Sequence, residues 1–202
     1  LACMALISGL HPATARDALI HHLAVPQWWI QSGNLAPLPW HEWSYYPMLL
    51  QLAFAGFLKL GAEFGAALYH GSYLLLGALL TARFLHDEYA DRAVSSFGGT
   101  LIAGLPIAMN LAGSPLVDLA LYYYSLAAIV SIIAAVREHS WRWSALAGTF
   151  LGFAYGVKYN AIPFIAAATL FALLLSVRNK MSFGVRSALF AALLSSTVIV
   201  AS

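Results

Sequence analysis

The feature that most constrains this chain is the length of its uncharged apolar runs. Phe64–Ala82, Ala93–Ala112, Leu119–Val136, Trp143–Val157, Tyr159–Val177 and Ser187–Ser202 contain no Asp, Glu, Lys or Arg. A helix needs roughly 20 apolar residues to cross about 30 Å of hydrocarbon, and these runs approach or reach that length. The shortest, Trp143–Val157, starts beside Trp141 and Trp143, residues suited to an interfacial aromatic belt. Composition agrees: 9% of residues are charged and 61% are apolar, against about 25% charged in an average soluble domain. That balance excludes a soluble globular domain, a disordered segment and a nucleic-acid binder, which needs a basic face. Cys3 is the one cysteine, so neither an internal disulfide nor a paired-cysteine metal motif exists.

The expected fold is all-α, a polytopic transmembrane helical bundle with a large first extracytoplasmic loop carrying interfacial helices. The sequence also reads as a fragment, the N-terminal part of one membrane-embedded domain. It lacks an initiator Met, and Ser187–Ser202 stops without a polar flank. On this reading residues 1–10 end a first span, residues 11–63 form the outer loop, and residues 64–202 hold about six spans, the last cut.

Charge placement assigns sides. Arg83, Arg92, Arg137, Arg142, Arg178, Lys180 and Arg186 fall in alternate loops, whereas Arg16, Lys59 and Lys158 fall on the other side. The Lys and Arg excess marks the cytoplasmic face. The opposite face then carries residues 11–63, the turn around Gly113–Asp118 and the turn at Lys158. Tyr46–Leu58 is uncharged but spans only about 20 Å as a helix, which fits an interfacial or re-entrant segment better than a crossing. Pro47 is expected in its first turn.

The outer loop concentrates polar and aromatic side chains. Residues 11–45 include His11, His21, His22 and His41 with Trp28, Trp29, Trp40 and Trp43, beside Arg16, Asp17 and Glu42. Trp favours the headgroup level, where its ring is apolar and its N–H finds a partner, so this segment is expected to rest on the membrane. Thr14 to Gly33 reads as a helix, with Leu19, Leu23 and Ile30 on one stripe and Pro26 kinking it. Asp17 and His21, four apart, would share a face, and a carboxylate there can hold the imidazole's tautomer. The bland alternative is a capping box over Thr14–Asp17; the two roles are compatible. His21–His22 reads more simply as interfacial polar residues than as metal ligands, because no third ligand is fixed by spacing.

Two further positions stand out. Asp118 sits between two apolar runs, where it is either a helix cap or, if deeper, a functional carboxylate. Lys158 lies in the turn Gly156-Val157-Lys158-Tyr159-Asn160 and is either a snorkelling lysine or a point charge for a phosphate or carboxylate. Gly148, Gly152 and Gly156 recur every four residues, a pattern for close helix packing. A phosphate-binding Gly-rich loop, a zinc-protease helix and a nucleophile elbow do not occur in the sequence. Within the spans His70 is the exceptional ionisable group.

These residues in order resemble a known group. Asp17-Ala-Leu-Ile-His21-His22-Leu-Ala-Val-Pro26, Ser44-Tyr-Tyr46-Pro47-Met48, Val117-Asp118-Leu119 and Gly156-Val-Lys158-Tyr159-Asn160 are similar to motifs of the C-type integral-membrane glycosyltransferases. The nearest branch is the bacterial polyprenyl-phosphate-sugar-dependent one, related to protein O-mannosyltransferases and the lipid A aminoarabinose transferase. The resemblance implies a polyprenyl-phosphate-linked sugar as donor and a lipid, glycan or protein as acceptor for a cell-envelope glycan, with membrane lipids as surroundings and no nucleic acid. It implies a bacterial plasma (inner) membrane protein with its active site on the extracytoplasmic side. Asp17 matches the first acid of the family's acidic pair and would be the catalytic base. Ala18 stands at the second position, so a metal at Asp17 has no support; no cofactor is expected. Lys158, with Arg16, would meet the donor phosphate. His21, His22, Asp118, Tyr46, Tyr159 and Asn160 would support the site, which requires Asp17, Asp118 and Lys158 to converge on one outer cavity. The alternatives are a transporter or flippase-like protein, with a passage lined by ionisable groups, and a non-catalytic partner of a larger complex.

Overall fold

The computed structural model describes residues 7–182, 185–187, 190–191 and 193–194. All regular structure among the described residues is helical, in ten elements. A π-helical turn, Ala18–His22, leads into α1 (Ala24–Ser32); a 3-10 turn, Glu42–Tyr45, precedes α2 (Leu49–Lys59). Then follow α3 (Glu63–Tyr89), α4 (Arg92–Gly104), α5 (Pro106–Ala112), α6 (Asp118–Glu138), α7 (Trp141–Val157) and α8 (Ala161–Arg178). Among the described residues α3, α6 and α8 are long and apolar enough to cross a membrane, and α4 with α5 would make a fourth span. The expected runs Leu1–Leu10 and Ser187–Ser202 lie largely outside the described residues.

The expected run Ala93–Ala112 is not one straight helix. It breaks between α4 and α5 with a bend of 59°. Proline disfavours the α conformation of the residue before it; Leu105 accordingly sits at φ −60°, ψ 124°, and Pro106 opens α5. At N1 its missing N–H has no intrahelical acceptor to lose. The start of α4 is capped by Asp91, whose carboxylate accepts from the N–H groups of Ala93 at 2.7 Å and Val94 at 3.1 Å. These two devices fix where the chain turns.

Two compact units divide the chain, Leu1–Tyr123 and Tyr124–Ser202. In the first, α4 lies along α3, and α2 packs between α1 and α3. Phe54 and Leu50 of α2 are fully buried. The segment before α2 is a small folded layer. Val25, Trp29 and Leu38 make its core, with Met48 and Ala55 against it. The Trp29 indole donates to the Ala36 carbonyl at 3.3 Å, and the buried Ser44 hydroxyl accepts from the Leu38 N–H at 2.7 Å. Trp29 is therefore a core residue rather than a surface anchor, while Trp28, Trp40 and Trp43 remain exposed. Gly33, at φ 66°, ends α1 in the left-handed conformation, a common helix terminus.

Two boundaries differ from expectation. The helical winding over Thr14–Gly33 is interrupted at Leu23, between the π turn and α1, not kinked at Pro26. Pro26 falls in the first turn of α1, where N–H groups have no intrahelical acceptor, so it breaks nothing. Pro47 likewise precedes α2 and is not within it.

In the second unit the core joins Ala128 and Ile132 of α6, Ala147 and Leu151 of α7, and Ala168 and Ala172 of α8. Small side chains on facing helices let backbones approach closely. Gly148 and Gly152 are buried on α7, in keeping with the packing use of the glycine repeat.

Candidate functional site

The first candidate region is built around the π turn. Residues 12–15 are irregular, and helical winding starts at Arg16. Asp17 is exposed, with helical backbone angles, and its carboxylate caps no N–H. The capping box over Thr14–Asp17 is not formed, although Asp17 stands in the first helical turn, where a carboxylate is favourable. From Ala18 the ladder changes: the Leu23 N–H donates to the Ala18 carbonyl at 2.8 Å, the i→i+5 bond of a π-helix. Such turns make up well under 1% of residues and occur often at functional sites.

Within this turn the two histidine rings lie against each other, centroids 4.0 Å apart and planes at 53°, but they differ in their further partners. His21 is half-buried and stacks on Trp43, with ring centroids 5.5 Å apart and planes at 19°. His22 is buried, and the Gln51 side-chain amide of α2 donates to its Nδ1 at 2.7 Å. With Nδ1 accepting, the ring proton of a neutral His22 sits on Nε2. Gln51 is 2% exposed, and its Oε1 has no hydrogen-bond partner. His41 reaches from the 3-10 side to donate through Nε2 to the Ile20 carbonyl at 2.9 Å. Trp43 also meets Tyr46 edge-on at 5.2 Å, so His21, Trp43 and Tyr46 form one aromatic cluster. The π turn is thus held by Gln51, His41 and Trp43, with Arg16 and Asp17 exposed at its start. The sequence carried a signal for Gln51, a lone amide inside the apolar run Tyr46–Leu58, but its role depends on a contact 29 residues away.

The second region lies at the start of α6. Asp118 is the first residue of that helix and is half-buried. The N–H of Leu119, an orphan donor of the first turn, is accepted by His70 Nε2 at 3.0 Å. His70 therefore takes the cap that sequence alone would give to the aspartate. Its other nitrogen, Nδ1, donates to the Ser114 carbonyl at 2.8 Å. Both ring nitrogens of His70 are thus committed to main chain.

A cavity in the first unit is bordered by the segments that precede these two regions. It is open, about 630 Å³, and is walled by His11, Pro12 and Thr14 on one side and Asn110, Gly113 and Ser114 on the other. The segment leading to Asp17 and the turn leading to Asp118 thus share a wall, although neither carboxylate lines it. A smaller adjoining space of about 200 Å³ extends past His11 to Glu63 and Phe64. Among the described residues, no three His, Cys, Asp or Glu side chains gather as a metal-ligand set.

In the second unit Lys158 follows α7 with extended backbone, φ −163° and ψ 136°, and its side chain is half-buried. Its carbonyl accepts from the Ala161 N–H at 3.0 Å, closing a tight turn. Tyr159 and Asn160 are exposed, and the Tyr159 ring lies 5.5 Å from Tyr155.

No curated protein and no solved structure matches the chain. A family model described as dolichyl-phosphate-mannose-protein mannosyltransferase matches residues 46–201. That range takes in Tyr46, Gln51, His70, Asp118 and the Lys158 turn, and leaves Arg16, Asp17, His21 and His22 outside it. An all-helical chain with apolar, span-length helices is the architecture such an enzyme needs. The chain belongs to the dolichyl-phosphate-mannose-protein mannosyltransferase family of membrane glycosyltransferases.

Proposed function

We propose that the protein moves a sugar from a polyprenyl-phosphate carrier to an acceptor hydroxyl or amine at the extracytoplasmic face of a bacterial plasma membrane. The observation that carries this reading is the shared cavity wall: the segments approaching Asp17 and Asp118 border one open space, beside a π turn braced on three sides. A cavity of several hundred Å³ is the size of a small-molecule site.

In this mechanism the acceptor oxygen or nitrogen attacks the anomeric carbon. Its proton passes to the Asp17 carboxylate as the bond between that carbon and the phosphate oxygen breaks. The electron pair leaves with the lipid phosphate, where Lys158 and Arg16 stabilise the developing charge. The apolar tail of the carrier stays beside the helices. His21, stacked on Trp43, and His22, fixed by Gln51, keep the π turn and so Asp17 in place; Tyr46, Tyr159 and Asn160 contact donor or acceptor polar groups. The reaction as written uses no cofactor.

A positioned general base contributes about 10²–10⁴-fold. In proteoliposomes of the full-length protein supplied with radiolabelled polyprenyl-phosphate sugar and membrane-extract acceptor, Asp17→Asn is expected to lower transfer by that factor. Near-full transfer by this variant would remove Asp17 as the base.

A further inference from the structure

We infer that His70 is a positioning residue for Asp118, a staple that ties the main chain on either side of it to the segment lining the cavity; this rests on the transfer reaction proposed above. Three observations meet here. First, His70 is fully buried in α3, and both ring nitrogens are spent on main chain: Nδ1–H on the Ser114 carbonyl at 2.8 Å, Nε2 on the Leu119 N–H at 3.0 Å. These partners bracket the turn that carries Asp118. Second, a Cβ on the neighbouring Gly71 would stand 2.7 Å from the Ala112 carbonyl oxygen, so α3 presses directly on the end of α5. Third, Ser114 lines the open cavity, so one ring ties Asp118 to that wall.

Capping alone does not explain the arrangement. Val117, which precedes α6, has no polar side chain, and a Ser, Thr or Asn there would cap the helix locally. A local cap would move with α6. The imidazole instead references the first turn of α6 to α3 and to the end of α5, through one donor and one acceptor on a rigid ring. A neutral histidine offers both at once on opposite sides of one rigid ring. Asp118 lies between the two stapled residues and adjoins Leu119, so the bond to the Leu119 N–H restrains its main chain.

The test uses the full-length protein in proteoliposomes with radiolabelled polyprenyl-phosphate sugar, comparing His70→Phe with His70→Gln, whose amide also offers one donor and one acceptor. Small misplacements of a site cost up to about 10²-fold, so His70→Phe is expected to lower kcat per folded protein about 10- to 100-fold with the donor KM little changed. His70→Gln should recover most of that loss. Hydrogen exchange across residues 113–121 should be faster in the Phe variant than in the Gln variant. Unchanged kcat per folded protein, or a Gln variant no better than Phe, overturns the proposal. Should the unsubstituted protein transfer no sugar, the enzymatic reading fails by itself. Exchange across 113–121 then decides the staple: faster exchange in either variant supports it, and unchanged exchange overturns it.

Discussion

Gln51 and His22 form a buried polar pair with one amide oxygen left over. A hydrogen bond contributes about 0.5–1.5 kcal/mol net, whereas orphaning a buried partner costs about 1–3 kcal/mol. Gln51→Leu should therefore destabilise the protein by about 1–3 kcal/mol, because His22 Nδ1 loses its donor. The double substitution Gln51→Leu with His22→Leu should recover much of that loss, since no polar atom of the pair then remains buried. Thermal unfolding of the detergent-purified protein measures both, and simply additive losses would contradict the pairing. Lys158 is tested through charge. Lys158→Met should cut transfer about 10²–10³-fold, as removal of a charge-stabilising group does elsewhere. Lys158→Arg keeps the charge with a different donor geometry and should retain part of the activity. A Met variant within twofold of the unsubstituted rate would exclude Lys158 from the phosphate site.

At the scale of elements, packing of α3 against the end of α5 gives a contrast between two glycines. A Cβ at Gly71 meets the Ala112 carbonyl oxygen at 2.7 Å, a backbone atom that cannot swing aside, whereas a Cβ at Gly56 in α2 meets nothing within 4 Å. Gly71→Ala should destabilise by about 1–3 kcal/mol, as overpacking does, and lower transfer by displacing the cavity wall. Gly56→Ala should be neutral or stabilise by about 0.5–1 kcal/mol, because glycine inside a helix is entropically costly. Equal unfolding temperatures for the two variants would refute the close approach. The same elements show what was legible beforehand. Uncharged runs located α3, α6, α7 and α8, and Gly33 located the end of α1, because these signals are local. The bend at Pro106 was also local, written in the restriction on Leu105, yet the run was read straight through it. The π turn could not be read: its winding is stabilised by Gln51 and His41, 29 and 21 residues from their partners. His70 was visible as an odd residue in an apolar run, but its partners 44 and 49 residues on were not.

For the whole molecule the decisive matter is sidedness. Within the first unit α3 separates the cavity at its Glu63 end from Arg83 and Arg92 near its other end, a run of 20 residues from Glu63 to Arg83 or about 30 Å of helix. Within the second unit α7 separates Arg142 from Lys158, by 16 residues or about 24 Å. The first unit thus keeps Arg83 about a hydrocarbon thickness from the Glu63 end of α3, and the second keeps Arg142 at the opposite end of α7 from Lys158, the pattern expected when Lys and Arg are retained on the cytoplasmic side. Single cysteines placed at positions 16, 59 and 158 in a Cys3→Ser background should react with a membrane-impermeant maleimide on intact spheroplasts. Cysteines at positions 92, 142 and 180 should react only after permeabilisation. Labelling of 16 and 158 from opposite faces would separate the proposed base from the proposed phosphate partner by the bilayer, and no single displacement at an anomeric carbon could then use both.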